Sequence, residues 1–77
     1  MRFDTLDPVV LELDLPERGL CRGDLGTVVH VYEGDGLEVE FVTAAGRTEA
    51  LVTLLSSNVR AAGDFDVLSA RPVRRTP

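Results

Sequence analysis

Few side chains in this 77-residue chain could do chemistry, and most of them lie in residues 20–41. His30 is the only histidine and Cys21 the only cysteine. A general base needs a proton to abstract and a group to orient it, and zinc sites are marked by paired cysteines or histidines. Neither pattern is present, so both residues are interpreted as structural. We expect no catalytic residue, no cofactor and no metal ion.

Glu38 and Glu40 are spaced two apart, which places them on one face of an alternating strand. Paired carboxylates can do acid–base work when one of them is buried, but on such a strand they are more simply a solvated face. As a binding feature they could join other acidic residues in one surface for a basic protein partner, with Tyr32 as an aromatic anchor. The candidate partner-binding residues are Asp14, Glu17, Tyr32, Glu38 and Glu40.

The glycines of this stretch are typical of turns. A phosphate-binding loop at Gly23–Gly26 would need a helix after it and usually a lysine, whereas a strand follows and the chain has no lysine. We therefore interpret the segment as a sharp turn in which Asp24 bonds to nearby backbone. The segment 33–36 lacks the ligand spacing of a calcium loop and is predicted to be a hairpin turn.

Apolar alternation predicts an all-β chain, because no helix-period run reaches ten residues. A single 3₁₀ turn is expected at Ser56–Asn58, and Leu15 and Leu20 of the long first connection should fold onto the core. The strand at Gly26–Glu33 is apolar on both faces and is predicted to be central and covered on both sides. The predicted strands are Asp7–Leu13, Gly26–Glu33, Leu37–Thr43, Arg47–Leu54, a short segment at Val59–Ala61 and a last strand at Phe65–Ala70.

This arrangement predicts a small SH3-like barrel of five or six short antiparallel strands, with the 3₁₀ turn before the last short strands. An OB-fold is the main competitor, but it usually has a helix between its third and fourth strands. Residues 1–70 form the single predicted domain, and residues 71–77, with two prolines and three arginines, form a predicted disordered tail.

Charge and composition limit the partners. The formal net charge is −5, and residues 1–70 carry 5 arginines against 13 acidic residues. Such a body repels phosphate backbones, which argues against general nucleic-acid binding. The chain has a single cysteine, its start does not have the pattern of a signal peptide, and no apolar run is long enough to cross a bilayer. These features predict a cytoplasmic protein without a membrane partner. The oligomeric state is left open.

A resemblance covers about two thirds of the chain. The motif D-L-P falls on Asp14–Pro16 and G-L-x-x-G-D-x-G-T-V-V-x-V-Y on Gly19–Tyr32; V-V-L, V-E-F and A-L-V-T-L fall on 9–11, 39–41 and 50–54. The pattern resembles a family of small bacterial SH3-like domains of unknown function. Some of its members are encoded among toxin–antitoxin or immunity-type genes, so the resemblance implies a protein partner, with the product of a neighbouring gene as the candidate.

These observations predict a non-enzymatic protein-interaction module, an acidic partner that binds and restrains another protein in the manner of an antitoxin or immunity protein. The alternative is a nucleic-acid or ribosome-associated SH3-like module that uses Arg18, Arg22 and the C-terminal arginines. The two hypotheses predict partners of opposite charge, because the first depends on carboxylates and the second on guanidinium groups.

Overall fold

Five short strands form one antiparallel sheet in the computed structural model of the chain, which describes residues 2–73. The strands are β1 Pro8–Leu11, β2 Leu25–Val31, β3 Gly36–Val42, β4 Thr48–Leu55 and β5 Val59–Ala61. Their spatial order is β4-β3-β2-β1-β5, and 3₁₀ turns at Pro16–Arg18 and Ser56–Asn58 precede β2 and β5. The all-β prediction, with a 3₁₀ turn before the last strand, is confirmed.

Alternation along the strands sends one set of side chains into a single core. Val9 and Leu11 of β1 are fully buried, as are Val28 of β2 and Val39 of β3. No α-helix among residues 2–73 covers this side of the sheet, so side chains on it can be fully buried only if the sheet bends over itself and the connections pack against it. The other core members are Phe3, Leu20, Leu37, Phe41, Ala50, Leu54 and Val59.

The sheet bends but does not close. Among residues 2–73, β4 and β5 are not paired with each other, so each leaves one edge of the sheet unpaired. The long β1–β2 connection packs against the core instead, where Leu15 and Leu20 bridge each other and lie against the apolar cluster. The prediction that these two leucines fold onto the core is confirmed.

A bulge in β2 overturns the predicted alternation of that strand. Val28 pairs with Val39, but the next pair is His30 with Glu38, so Val29 is an extra residue in the ladder. Strict alternation would place Val28 and His30 on the same face, whereas Val28 is buried and His30 is exposed. β2 is central in the sheet, as predicted, but the prediction that both its faces are covered is wrong.

The predicted last strand at Phe65–Ala70 is wrong as well. No strand is formed there, and the Phe65 side chain is fully exposed. Asp66 explains the outcome, because its carboxylate accepts the Gly63 N–H at 2.6 Å and both terminal nitrogens of Arg60 at 2.9 Å. These bonds hold a tight turn directly after β5, and residues 65–70 do not pair with its free edge.

The C-terminal segment returns to the β1–β2 connection. The Arg71 guanidinium donates to the Asp24 carboxylate at 2.5 and 3.0 Å and to the Gly19 carbonyl oxygen at 3.0 Å. The predicted tail begins at this arginine, and its residues 74–77 lie outside the described part of the chain. None of the helical segments in residues 2–73 has the length and apolar character that crossing a bilayer requires.

Candidate functional site

One exposed side of β2, β3 and β4 carries polar and apolar side chains in rows across the three strands. Cross-strand partners point to the same side of a sheet, so the register assigns each row. The first row is His30, Glu38 and Thr53, and the second is Thr27, Glu40 and Leu51. A third row holds Tyr32, Gly36 and Leu55. We call this side the outer face.

Tyr32 and Glu38 form the centre of the outer face. The Tyr32 ring lies over Gly36, whose missing side chain leaves the space for it; a Cβ at Gly36 would come within 3.3 Å of the Tyr32 Cβ. The phenol donates to Glu38 Oε1 at 3.2 Å, and the His30 ring meets the Tyr32 ring edge-on at a centroid distance of 4.6 Å. Backbone register and ring packing together fix the direction of this carboxylate.

Thr53 supplies the second donor to Glu38. Its hydroxyl donates to the same oxygen, Oε1, at 2.6 Å, so two hydroxyl groups converge there. No hydrogen bond within residues 2–73 involves Oε2 of Glu38, so this oxygen can accept a hydrogen bond from another molecule. The hydrogen bond to Glu38, followed by desolvation and the charge of that carboxylate, raises the pKa of Tyr32. The phenol therefore stays a neutral donor at physiological pH.

Glu40 is held in the same way one row along. The Thr48 hydroxyl donates to Glu40 Oε2, and no bond among the described residues uses Oε1. Glu38 and Glu40 are each half-buried rather than extended into solvent. The result is two carboxylates on one strand face, each with one oxygen oriented by a threonine of β4 and one oxygen open.

The structure separates the other two predicted residues from this face. Asp14 lies on the β1–β2 connection, where its carboxylate accepts the Arg22 N–H at 2.8 Å. Glu17 lies in the first 3₁₀ turn and is exposed. Three of the five candidate residues, Tyr32, Glu38 and Glu40, therefore share one surface, and Asp14 and Glu17 belong to another.

The outer face also holds four side chains of β4 that are not among the candidates predicted from the sequence: Thr48, Leu51, Thr53 and Leu55. Leu51 and Leu55 are 47% and 55% exposed, and they flank Thr53 on β4. The signal for them was present, because alternation that sends Ala50, Val52 and Leu54 inward must send the residues between them outward.

Within residues 2–73, the arginines named by the alternative hypothesis, Arg18, Arg22 and Arg71, contact other groups of the chain. Arg22 pairs with Glu12 at 3.5 Å, and Arg18 donates to the Leu51 carbonyl oxygen at 2.8 Å. Burial acts to raise the pKa of Asp24, but bonds from the Arg71 side chain and the Cys21 N–H, with the charge of Arg71, outweigh it and lower the pKa. Asp24 is therefore a carboxylate that anchors its turn, as predicted, and also the C-terminal segment.

His30 and Cys21 do not form a common site. His30 lies on the outer face beside Tyr32, whereas Cys21 is exposed in the turn before β2. Among residues 2–73 no three potential metal-ligating side chains lie close enough together to hold an ion. A shallow cavity lies at the end of the sheet near the β2–β3 turn, lined by residues that include Phe3, Tyr32 and Ser56.

Comparison with known families matches residues 5–61 to DUF4926, a domain of unknown function. The matched range contains all five strands and both 3₁₀ turns and ends with β5. The chain belongs to the DUF4926 family. Its family is therefore one without an assigned function, which confirms that part of the expectation. No curated protein and no solved structure matches this DUF4926 chain.

In this DUF4926 domain the outer face is formed entirely by residues inside the family match. The turn closed by Asp66 and the segment anchored by Arg71 lie beyond the matched residues. The DUF4926 fold thus contains the candidate surface, and the C-terminal segment is an addition to it.

Proposed function

We propose that this protein is a non-enzymatic interaction module that binds a basic region of a protein partner through the outer face. The observation that supports the proposal most directly is the grouping of Tyr32, Glu38 and Glu40 on one exposed surface. An aromatic anchor beside oriented carboxylates is a common composition for binding arginine-rich protein surfaces.

The hydrogen bonds on the outer face favour binding of cations from another molecule. Because threonine hydroxyls hold one oxygen of Glu38 and one of Glu40, a partner's guanidinium meets carboxylates that are already oriented. Orientation before binding lowers the entropy lost on association. Exposed Leu51 and Leu55 add an apolar surface for the aliphatic part of an arginine or lysine side chain.

The overall charge supports the same partner chemistry. A net charge of −5 attracts a basic protein and accelerates encounter, and it repels a phosphate backbone. The engaged arginines, Arg18, Arg22 and Arg71, do not favour the nucleic-acid alternative, because phosphate binding would compete with their contacts inside the chain. We further propose that the domain is an SH3-like module that restrains its partner as an antitoxin or immunity protein does.

Capture of a partner by the tagged chain, starting with the product of the neighbouring gene, tests the proposal. The decisive comparison uses the double variant E38R/E40R and a matched control, D4R/D64R. The control changes the charge equally at exposed positions before β1 and after β5, the two strands farthest from β4 in the sheet. Loss of electrostatic steering should slow association of E38R/E40R by about tenfold or more and leave the control close to wild type. An unchanged association rate, or an equal loss in both variants, would refute the proposal.

A further inference from the structure

The unpaired edge of β4 lies directly beside the outer face. In an antiparallel ladder, alternate residues of an edge strand direct their backbone N–H and C=O groups away from the neighbouring strand. The Ser56 N–H donates to the Asp35 carbonyl oxygen next to the pair Gly36–Leu55, which sets the phase of the ladder. The backbone groups of Leu51, Thr53 and Leu55 therefore point to the free edge.

Two side chains limit this edge at its ends. Arg18 donates to the Leu51 carbonyl oxygen at 2.8 Å, and the Asn58 side-chain oxygen accepts the Leu55 N–H at 2.8 Å. Between them, within residues 2–73, three backbone groups have no hydrogen-bond partner: the N–H of Leu51 and both groups of Thr53. The carbonyl of Leu55, the N-cap of the second 3₁₀ turn, accepts the first bond of that turn. Two donors and an acceptor on alternate residues are what an added strand requires.

The side chains beside these open backbone groups determine which kind of strand fits the edge. Leu51, Thr53 and Leu55 all point to the outer face, and Glu38 and Glu40 are the next residues across the sheet. Strands are spaced by about 4.8 Å, so an added strand would lie about 10 Å from β3, within reach of an arginine side chain that crosses Thr53. The occupant that matches this charge is basic and extended.

We propose that the partner binds by adding an extended basic segment to the free edge of β4, so that its arginine or lysine side chains reach Glu38 and Glu40. The inference rests on the proposed function and specifies how the partner binds. A second copy of the chain matches less well, because pairing β4 with itself brings two acidic outer faces together. Backbone bonds would supply affinity, and alternate basic side chains would supply specificity.

A labelled peptide that alternates arginine with threonine and is blocked at both ends is the probe, with binding measured by fluorescence polarisation. We expect N-methylation of one alternate set of peptide amides to weaken binding by about tenfold, since the hydrogen bond to the Thr53 carbonyl oxygen is lost, and methylation of the other set to be tolerated. If the peptide adds antiparallel to β4, the residues whose side chains lie on the outer face are also the residues whose amides bond to β4. Methylation of the arginine amides should therefore be the pattern that weakens binding. Replacing the arginines with glutamine should also abolish binding.

Variants of Thr53 test the same contact from the protein side. Both T53P and T53V remove the Thr53 hydroxyl, but only T53P also removes the outward backbone N–H. An edge strand tolerates proline at such a position. Peptide binding by T53P should be about tenfold weaker than binding by T53V. Far-ultraviolet circular dichroism reports folding of both, and the methylated peptides test the contact on the unaltered protein.

The outcomes separate this inference from the proposed function. Suppose that peptide binding requires Glu38 and Glu40 but neither methylation pattern weakens it. This result would overturn strand addition and leave the proposed interaction module unaffected. No peptide binding would also overturn strand addition, while partner capture with E38R/E40R still decides the proposed function. Sedimentation equilibrium showing a dimer that T53P dissolves would make a second copy the occupant and overturn the inference.

Discussion

Gly26 is the position at which the smallest possible substitution should have the largest structural effect. It is buried in β2 opposite Val9, and a Cβ placed on its backbone would lie 2.7 Å from Val39 Cγ1 and 2.8 Å from Phe41 Cε1. Both neighbours are core side chains with little room to move, because Val39 is fully buried and Phe41 nearly so. Overpacking of this kind costs about 1–3 kcal/mol, and we expect a loss in that range for Gly26→Ala.

Two other glycines provide a graded control with the same chemical change. A Cβ at Gly36 would meet Tyr32 Cβ at 3.3 Å, and a Cβ at Gly63 would meet only the Asp66 Oδ2 at 3.7 Å. Gly36→Ala should therefore be mildly destabilising. Gly63→Ala should be neutral, or stabilising by about 0.4–1 kcal/mol through the unfolded state.

Urea unfolding of the three variants measures these differences, provided that the slope against denaturant stays constant. A double-mutant cycle adds a test of the cause: Phe41→Leu removes the ring atoms that the new methyl group meets, so its cost should be smaller in the Gly26→Ala background than in wild type. A Gly26→Ala variant as stable as wild type, or purely additive effects with Phe41→Leu, would refute the packing argument.

Three further predictions address other contacts. Arg18→Ala should increase self-association at neutral pH, since it exposes the Leu51 carbonyl on the free edge; sedimentation velocity measures this, and a strictly monomeric variant would contradict it. Bonds from Arg60 and the Gly63 N–H lower the pKa of Asp66 to about 2, so its contribution to stability is complete above pH 3.8 and is lost as the pH falls toward 2. An NMR titration should show this midpoint, and Arg60→Gln should raise it. Leu11→Ala should cost about 2–5 kcal/mol in urea unfolding, because Leu11 is fully buried in the core.

The acidic outer face and the limited β4 edge illustrate how the fold uses its polar residues. Edge strands expose backbone groups that favour aggregation, and proteins protect them with charged side chains or short open segments. Arg18 and Asn58 shorten the open part of β4 to the backbone groups between Leu51 and Leu55. The same residues that limit uncontrolled pairing therefore define the length of segment that could be accepted.

Local pattern alone located the five strands and most of the buried side chains, although it also predicted a sixth strand that does not form. Val9 and Leu11 of β1, and the alternation of β3 from Leu37 to Phe41, are visible in the sequence because a buried side chain every second residue is a local property. The turn glycines are equally local, and Gly34 and Gly46 both adopt positive φ as their turns require. The 3₁₀ turn after β4 was predictable from its short polar composition.

Tertiary structure alone decided the register and the grouping of functional residues. The bulge at Val29 changes which face His30 occupies, and such an extra residue depends on the partner strand rather than on β2 itself. The Asp66 carboxylate holds a turn where the sequence pattern predicts a strand. Arg18 donates to the carbonyl oxygen of Leu51, which is 33 residues away in the chain. Two strands must align before Thr53 can meet Glu38, so sequence spacing could place each side chain on a face but could not assemble the site.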